Sequence, residues 1–190
     1  MKWIHTITSW TGKESYMNSL ETDKLTVACE LDQNLELLRQ TYLFSGVPLE
    51  ALKVFAYLCS REKFKQGEYL FRQGEDDGQA FYMISGLAVL ERKEGGLVRT
   101  IRQCSEGEFL GGLSLMGPMQ RLFSLKAASE VNCLIIAREK FTRTLSQFQD
   151  LMPSLVKALV GGVDGWEKGF LLSRADKCGD CLQDLGVSLL

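Results

Sequence analysis

The chain has 190 residues, 45% of them hydrophobic, which suits one domain with appendages and excludes a wholly disordered segment. Lys and Arg number 22 against 24 Asp and Glu, and a net charge of −2 favours neither nucleic acid nor an anionic membrane surface as partner. No apolar run approaches the roughly 20 residues that span a bilayer, and MKWIHTITSWTGKESYM lacks an apolar export core, so no membrane contact and a cytoplasmic location are expected.

Residues 1–22 show no clear period and read as an N-terminal arm. LDQNLELLRQTY places Leu31, Leu37 and Leu38, with Tyr42 beyond, on a helical stripe. VPLEALKVFAYL predicts a second helix, opened by Pro48 and turning Leu49, Leu52, Val54, Phe55 and Leu58 toward a core. Past Arg61 the period changes. KFKQGEYLF, QAFYMISG, LAVLERK, LVRTIRQ, LFSLKAAS and VNCLIIA are short, β-branched or aromatic, and cut by turn residues. AFYMISGLAVL alternates about Gly86 and predicts a tight hairpin, and Glu94-Gly95-Gly96 marks a second turn. At least six such strands indicate a mainly β sandwich or roll with flanking helices.

Helix returns at REKFTRTLSQF, and Pro153 lets a longer one begin just before it. There Met152, Val156, Leu159, Val163, Trp166 and Phe170 fall at spacings of 4, 3, 4, 3 and 4, a heptad-like seam. Such a seam suits a homodimer through this helix, or capping of the roll. Gly161, Gly165 and Gly169 recur at intervals of four. Each costs about 1 kcal/mol in a helix interior, so packing must hold the helix. The expected division is an arm (1–22), a roll with flanking helices (23–147), a long C-terminal helix for dimerisation (148–175) and a tail (176–190).

Few residues carry obvious chemistry. His5 is the sole histidine, which speaks against metal-dependent β-roll enzymes and hydrolytic triads. Cys29, Cys59, Cys104 and Cys133 sit in largely apolar surroundings, and Cys178-Gly-Asp-Cys181 is at most half a zinc site. No catalytic residue, metal site or enzymatic activity is therefore expected. One stretch differs: GEFLGGLSLMGPMQRLFSLKA, from Gly107 to Ala127, sets Gly111-Gly112 ahead of a short apolar segment and Arg121 after a Gly-Pro turn. The glycine pair reads as turn hardware or as an anion nest. Arg121 reads as an anion contact, a structural salt bridge or a solvated cation.

The ordered glycines of GEYLFRQGEDDGQAFYMISGLAVL (Gly67–Leu90), followed by the glycine pair and the arginine, resemble the cyclic nucleotide-binding domain. This is the sensor of catabolite-activator-type regulators and of protein kinase A regulatory subunits. The resemblance runs from about Tyr42 to Leu172 and implies a double-stranded β-helix, or jelly roll, followed by a long C-terminal helix. It makes Gly107–Ala127 the phosphate-binding cassette. The family's Phe-Gly-Glu is here Leu110-Gly111-Gly112, and its Arg-Ala-Ala is Arg121-Leu122-Phe123. The implied ligand contacts are Gly111, Gly112, Leu113, Ser114, Arg121, Leu122 and Phe123, with Trp166 and Phe170 as a cap from the long helix.

Two departures bear on specificity. Gly112 lacks the carboxylate that accepts from the ribose 2′-hydroxyl, which should weaken binding about 10- to 150-fold. Leu122 and Phe123 add bulk where the family has two alanines. Glu108 is no replacement, because it matches the acid that follows the preceding turn glycine. The resemblance implies a regulatory sensor for a cyclic nucleotide or another small anion, of weak or altered specificity. The alternatives are a ligand-free pseudo-receptor acting as a dimeric protein-interaction module, and a transcription-regulator relative without its helix-turn-helix. From residue 150 onward six acidic residues (Asp150, Asp164, Glu167, Asp176, Asp180, Asp184) face four basic ones (Lys157, Lys168, Arg174, Lys177), so direct nucleic-acid binding is not expected.

Overall fold

The computed structural model describes residues 29–174, with side chains through 169. Helices α1 (29–39) and α2 (Leu49–Leu58), joined by a 3-10 turn at Tyr42–Phe44, precede eight strands. These are β1 (Ser60–Phe64), β2 (Tyr69–Phe71), β3 (Gln79–Ser85), β4 (Ala88–Glu94), β5 (Leu97–Cys104), β6 (Phe109–Leu110), β7 (Ser124–Ala127) and β8 (Val131–Ala137). A 3-10 turn at Gly112–Leu115 lies between β6 and β7, and α3 (Arg138–Gln147) and α4 (Met152–Arg174) follow. His5, Cys178 and Cys181 lie outside the described residues.

The strands form two four-stranded antiparallel sheets, ordered β1-β8-β3-β6 and β2-β7-β4-β5. Leu70, Phe71, Phe81, Met83, Ala88, Leu125 and Val131 fill the space between them. The first sheet is covered on its other side as well. Ala80, Tyr82, Leu134 and Ile136 turn outward onto Leu38, Phe44, Leu52, Phe55, Phe141 and Leu155 of the helical layer. Burial on both faces explains why AFYMI and CLII read as unbroken apolar runs rather than as alternating ones. Within the layer Phe55 stacks on Phe141 at 5.3 Å, and Phe44 meets Phe55 edge-on at 5.1 Å. In α1 the buried apolar positions are Leu35 and Leu38, so Leu35 belongs to the stripe that the leucine pattern left aside. In α2 the core face is Ala51, Leu52, Phe55 and Ala56, and Leu49 is exposed.

The hairpin expected about Gly86 does not form. β3 pairs with β6 and β8, whereas β4 pairs with β5 and β7, so Gly86 carries the chain from one sheet into the other. Its φ of 95° makes the corner. The Leu87 N–H donates to Ser129 Oγ at 2.9 Å, and the Leu87 carbonyl accepts from Ala128 and Ser129. Backbone groups that a hairpin would satisfy across its own turn are taken here by the β7–β8 crossing. The turn at Glu94-Gly95-Gly96 does close a hairpin, β4–β5. β5 is an edge strand, exposed along seven of its eight residues, and its Arg99 lies directly opposite Arg92.

Helix α4 buries Leu155 and part of Leu159 against the helical layer. Met152, Val156, Val160, Val163 and Trp166 stay exposed, so the exposed apolar face runs through Val160 and not through Leu159 as the heptad pattern has it. The side chain of Phe170 lies outside the described residues. None of the described helices is long and apolar enough to cross a membrane.

Candidate functional site

Cys104 and Cys133 are buried in the roll, and burial pushes the Cys133 thiol up to about 12, as it does Cys59 beneath the helical layer. Such thiols pack as apolar groups and are poor nucleophiles. Glu108 is occupied too: it accepts from Arg102 Nη1 at 2.5 Å and caps the Ser105 N–H at 2.8 Å.

The polar geometry concentrates where the loop before β3 meets the segment between β6 and β7. Arg121 is 7% exposed, and its backbone is fixed first. Its N–H donates to the Glu75 carbonyl and its own carbonyl accepts from Gly74 N–H, both at 2.8 Å. The guanidinium is then gripped by the same loop. Nη2 donates to Asp77 Oδ1 at 2.7 Å and to the Gln79 carbonyl at 2.5 Å, and Nε reaches Asp77 Oδ2 at 3.3 Å. Asp77 is itself oriented by the Gln79 N–H, which donates to its Oδ1 at 3.1 Å. Beneath lies the ring of Phe71, with Arg121 Cζ 4.3 Å from its centroid. Of the three readings of Arg121, the salt bridge is present.

One terminal nitrogen of that guanidinium is left out of the clasp. Among the described residues Nη1 makes no hydrogen bond, and it lies against Gly111. A Cβ built on Gly111 would overlap Nη1 and stand 2.9 Å from the Gln79 carbonyl oxygen. With φ at 77° as well, only glycine fits there. Gly111 then enters the 3-10 turn, where Gly112, Ser114 and Leu115 are buried and Leu113 is half-exposed. Ser114 Oγ is buried with no hydrogen-bond partner among the described residues.

Gly112 faces the other way. A Cβ there would lie 2.8 Å from the Tyr42 hydroxyl and 3.0 Å from the Phe109 ring, toward the helical layer rather than toward Arg121. Leu122 is 63% exposed, and Phe123 is half-buried with Arg92 Cζ 5.9 Å from its ring centroid. Of the residues expected to meet a ligand, Gly111 and Arg121 are therefore in contact. Gly112 and Phe123 face other neighbours, and Leu122 points into solvent. Trp166 stands on the exposed face of α4.

The sequence pattern did not single out the second clasp. Arg138, first residue of α3, donates from Nε to the Ser114 carbonyl at 2.5 Å. Its two terminal nitrogens bind both oxygens of Asp76, and its N–H donates to the Gly78 carbonyl at 2.7 Å. The Arg138 guanidinium holds the Asp76 carboxyl below its ordinary range. Asp76 and Asp77 thus each hold one arginine. Together they fix the Ser114 end of the segment, its Arg121 end and the start of α3. The signal in the sequence was EDDG, three consecutive acids just before a strand, of which Asp76 and Asp77 hold the arginines.

Comparison with known proteins fits this geometry. Residues 61–148 match the family model described as the cyclic nucleotide-binding domain. The human cGMP-dependent protein kinase 2 is 26% identical over 159 residues, which cover 82% of this chain and 20% of that protein. A cAMP-dependent protein kinase regulatory subunit from Emericella nidulans is 33% identical over 111 residues, 58% of this chain and 26% of that one. The chain thus spans a fifth to about a quarter of these two relatives' length. Among solved structures, a cyclic nucleotide-binding-like protein from Brucella abortus superposes with a TM-score of 0.56 at 27% identity. That match covers 60% of this chain and 98% of the other. Over residues 61–148, then, a two-sheet roll in which Gly111 packs against Arg121 carries the match to the cyclic nucleotide-binding domain.

Proposed function

We propose that this chain is a regulatory sensor domain that binds a cyclic nucleotide or another small anion between Gly111 and Arg121, with specificity altered by the absence of an acid at position 112. The observation that carries the reading is the Nη1 of a nearly buried guanidinium, without a hydrogen bond among the described residues and set against a glycine backbone. A charge-assisted hydrogen bond to an anion there gains strength from the low local dielectric. The domain acts by binding and not by catalysis. Its output is a homodimer formed through the exposed face of α4, which then presents the domain to a protein partner. The chain works in the cytoplasm.

A second reading has its own observation. Asp77 already balances the charge of Arg121, so the cradle is stable without a ligand and the fold can serve as a pseudo-receptor for protein contacts. Titration calorimetry of the full chain with cyclic AMP and cyclic GMP separates the two. Saturable heat is expected, with affinity falling about tenfold or more in Arg121→Lys, which keeps the charge but loses the planar fork. Truncation to alanine is the poorer test, because it strands the Asp77 carboxylate and the Gln79 carbonyl at about 2 kcal/mol or more. Absence of heat with both nucleotides would rule out a nucleotide sensor, and absence with inorganic phosphate as well would leave the pseudo-receptor.

A further inference from the structure

Tyr42 lies between two glycines that are 50 residues apart in sequence. Its hydroxyl stands 2.8 Å from where a Cβ on Gly112 would be, and its Cε2 stands 3.0 Å from the same point on Gly162 of α4. Its ring meets Phe109 edge-on at 5.9 Å, just ahead of the Gly111–Leu115 segment. The hydroxyl makes no hydrogen bond among the described residues, so the contacts are steric. We propose that Tyr42 is a positioning residue that couples the anion-binding segment to the long helix, and that Gly112 and Gly162 are glycines because the tyrosine fills the space in front of both.

The helix itself supports this. A glycine in a helix interior needs a reason, since it costs stability relative to alanine. Cβ atoms built on Gly161, Gly165 and Gly169 meet nothing within 4 Å. Gly162 alone among the described glycines of α4 has a close neighbour, and that neighbour is Tyr42. The 3-10 turn holds the tyrosine's backbone, with the Tyr42 carbonyl accepting from both N–H and Oγ of Ser45. Beside the ring opens a cleft of about 520 Å³, lined by Ser45, Gly46, Ser154, Lys157 and Gly161. The ring therefore fills the space before a glycine on two sides and borders the cleft on a third. A methyl placed on Gly112 must be met by the tyrosine, which then yields along α4 or into the cleft. Close-packed elements transmit displacement in this way because they compress little.

The inference concerns the mechanics of the chain alone and is tested without any ligand. Hydrogen exchange of the full chain is compared for the natural sequence, Gly112→Ala, Tyr42→Phe and the double variant. Gly112→Ala is expected to speed exchange of amides 159–165 in α4 about tenfold, although no methyl at 112 reaches that helix directly. Adding Tyr42→Phe removes the hydroxyl that the methyl strikes and should restore most of the protection. Gly162→Ala, which strikes the ring edge, should not be rescued by Tyr42→Phe. If Gly112→Ala fails to fold, Tyr42→Ala serves instead, with faster exchange expected at both 111–116 and 159–165. Changes confined to residues 109–116 in either variant, or no recovery in the double variant, would overturn the proposal.

Discussion

Gly86 packs directly on the backbone of Glu130. A Cβ on Gly86 would overlap the Glu130 carbonyl oxygen and stand 2.9 Å from Cα of Val131. The contact joins two of the places where the chain passes between sheets, β3–β4 and β7–β8, and neither neighbour is a flexible side chain that can turn aside. Gly86→Ala is expected to cost about 3 kcal/mol or more, through overlap and the positive φ together. Gly95 also has a positive φ, with nothing within 4 Å of its Cβ position. Gly95→Ala should cost about 1 kcal/mol. Urea denaturation of both variants checks the difference, and equal losses would refute a packing role for Gly86.

Asp76 gives the domain a dependence on acid. Its carboxyl is held below the ordinary value by Arg138, so the folded state binds that proton less readily than the unfolded chain. The stabilisation is present above the unfolded pKa and is lost as pH falls through the depressed folded value. Asp76→Asn should accordingly lower Tm near neutrality and make progressively less difference below about pH 4. Thermal melts of both proteins between about pH 3 and 7 measure this. A gap in Tm that stays constant across the range would assign the loss to packing instead.

The exposed face of α4 predicts an oligomer. Val160 is 63% exposed at the middle of Met152, Val156, Val163 and Trp166, and a charge there has solvent around it in a single chain. Val160→Asp should leave thermal stability of the isolated domain nearly unchanged while abolishing dimers in sedimentation velocity. A natural sequence that sediments as a monomer at tens of micromolar would remove the dimer from the proposal.

Much of this architecture was readable from the residues. Glycines at fixed intervals, a switch from helical to alternating period at Arg61, and Pro48 and Pro153 at helix starts marked out the roll and its flanking helices. Gly111 and Arg121, ten residues apart, do meet. Pairing was less legible, because AFYMISGLAVL alternates equally well whether its halves lie side by side or in facing sheets. The partners that decide between them lie far along the chain, among them Ala128 and Ser129 at the β7–β8 crossing. The clasp by Asp76 and Asp77 was hidden for a related reason. Acids beside a turn glycine look like a solvated loop until their arginines, 62 and 44 residues away, are placed. Tyr42 read as the tail of a helical stripe, and its two glycines lie in segments that no local pattern connects.

The cation pair on the outer hairpin sets how these molecules behave when crowded. An eight-residue strand with an open margin invites a neighbouring molecule to add itself backbone to backbone. Here a copy arriving in the reverse sense with Arg99 set opposite Arg99 brings its own Arg92 and Arg99 toward the first pair, gathering four guanidiniums against one Glu94 beside each Arg92. That repulsion guards the margin against fibre-like growth, and exchanging either arginine for a neutral β-former would remove the guard.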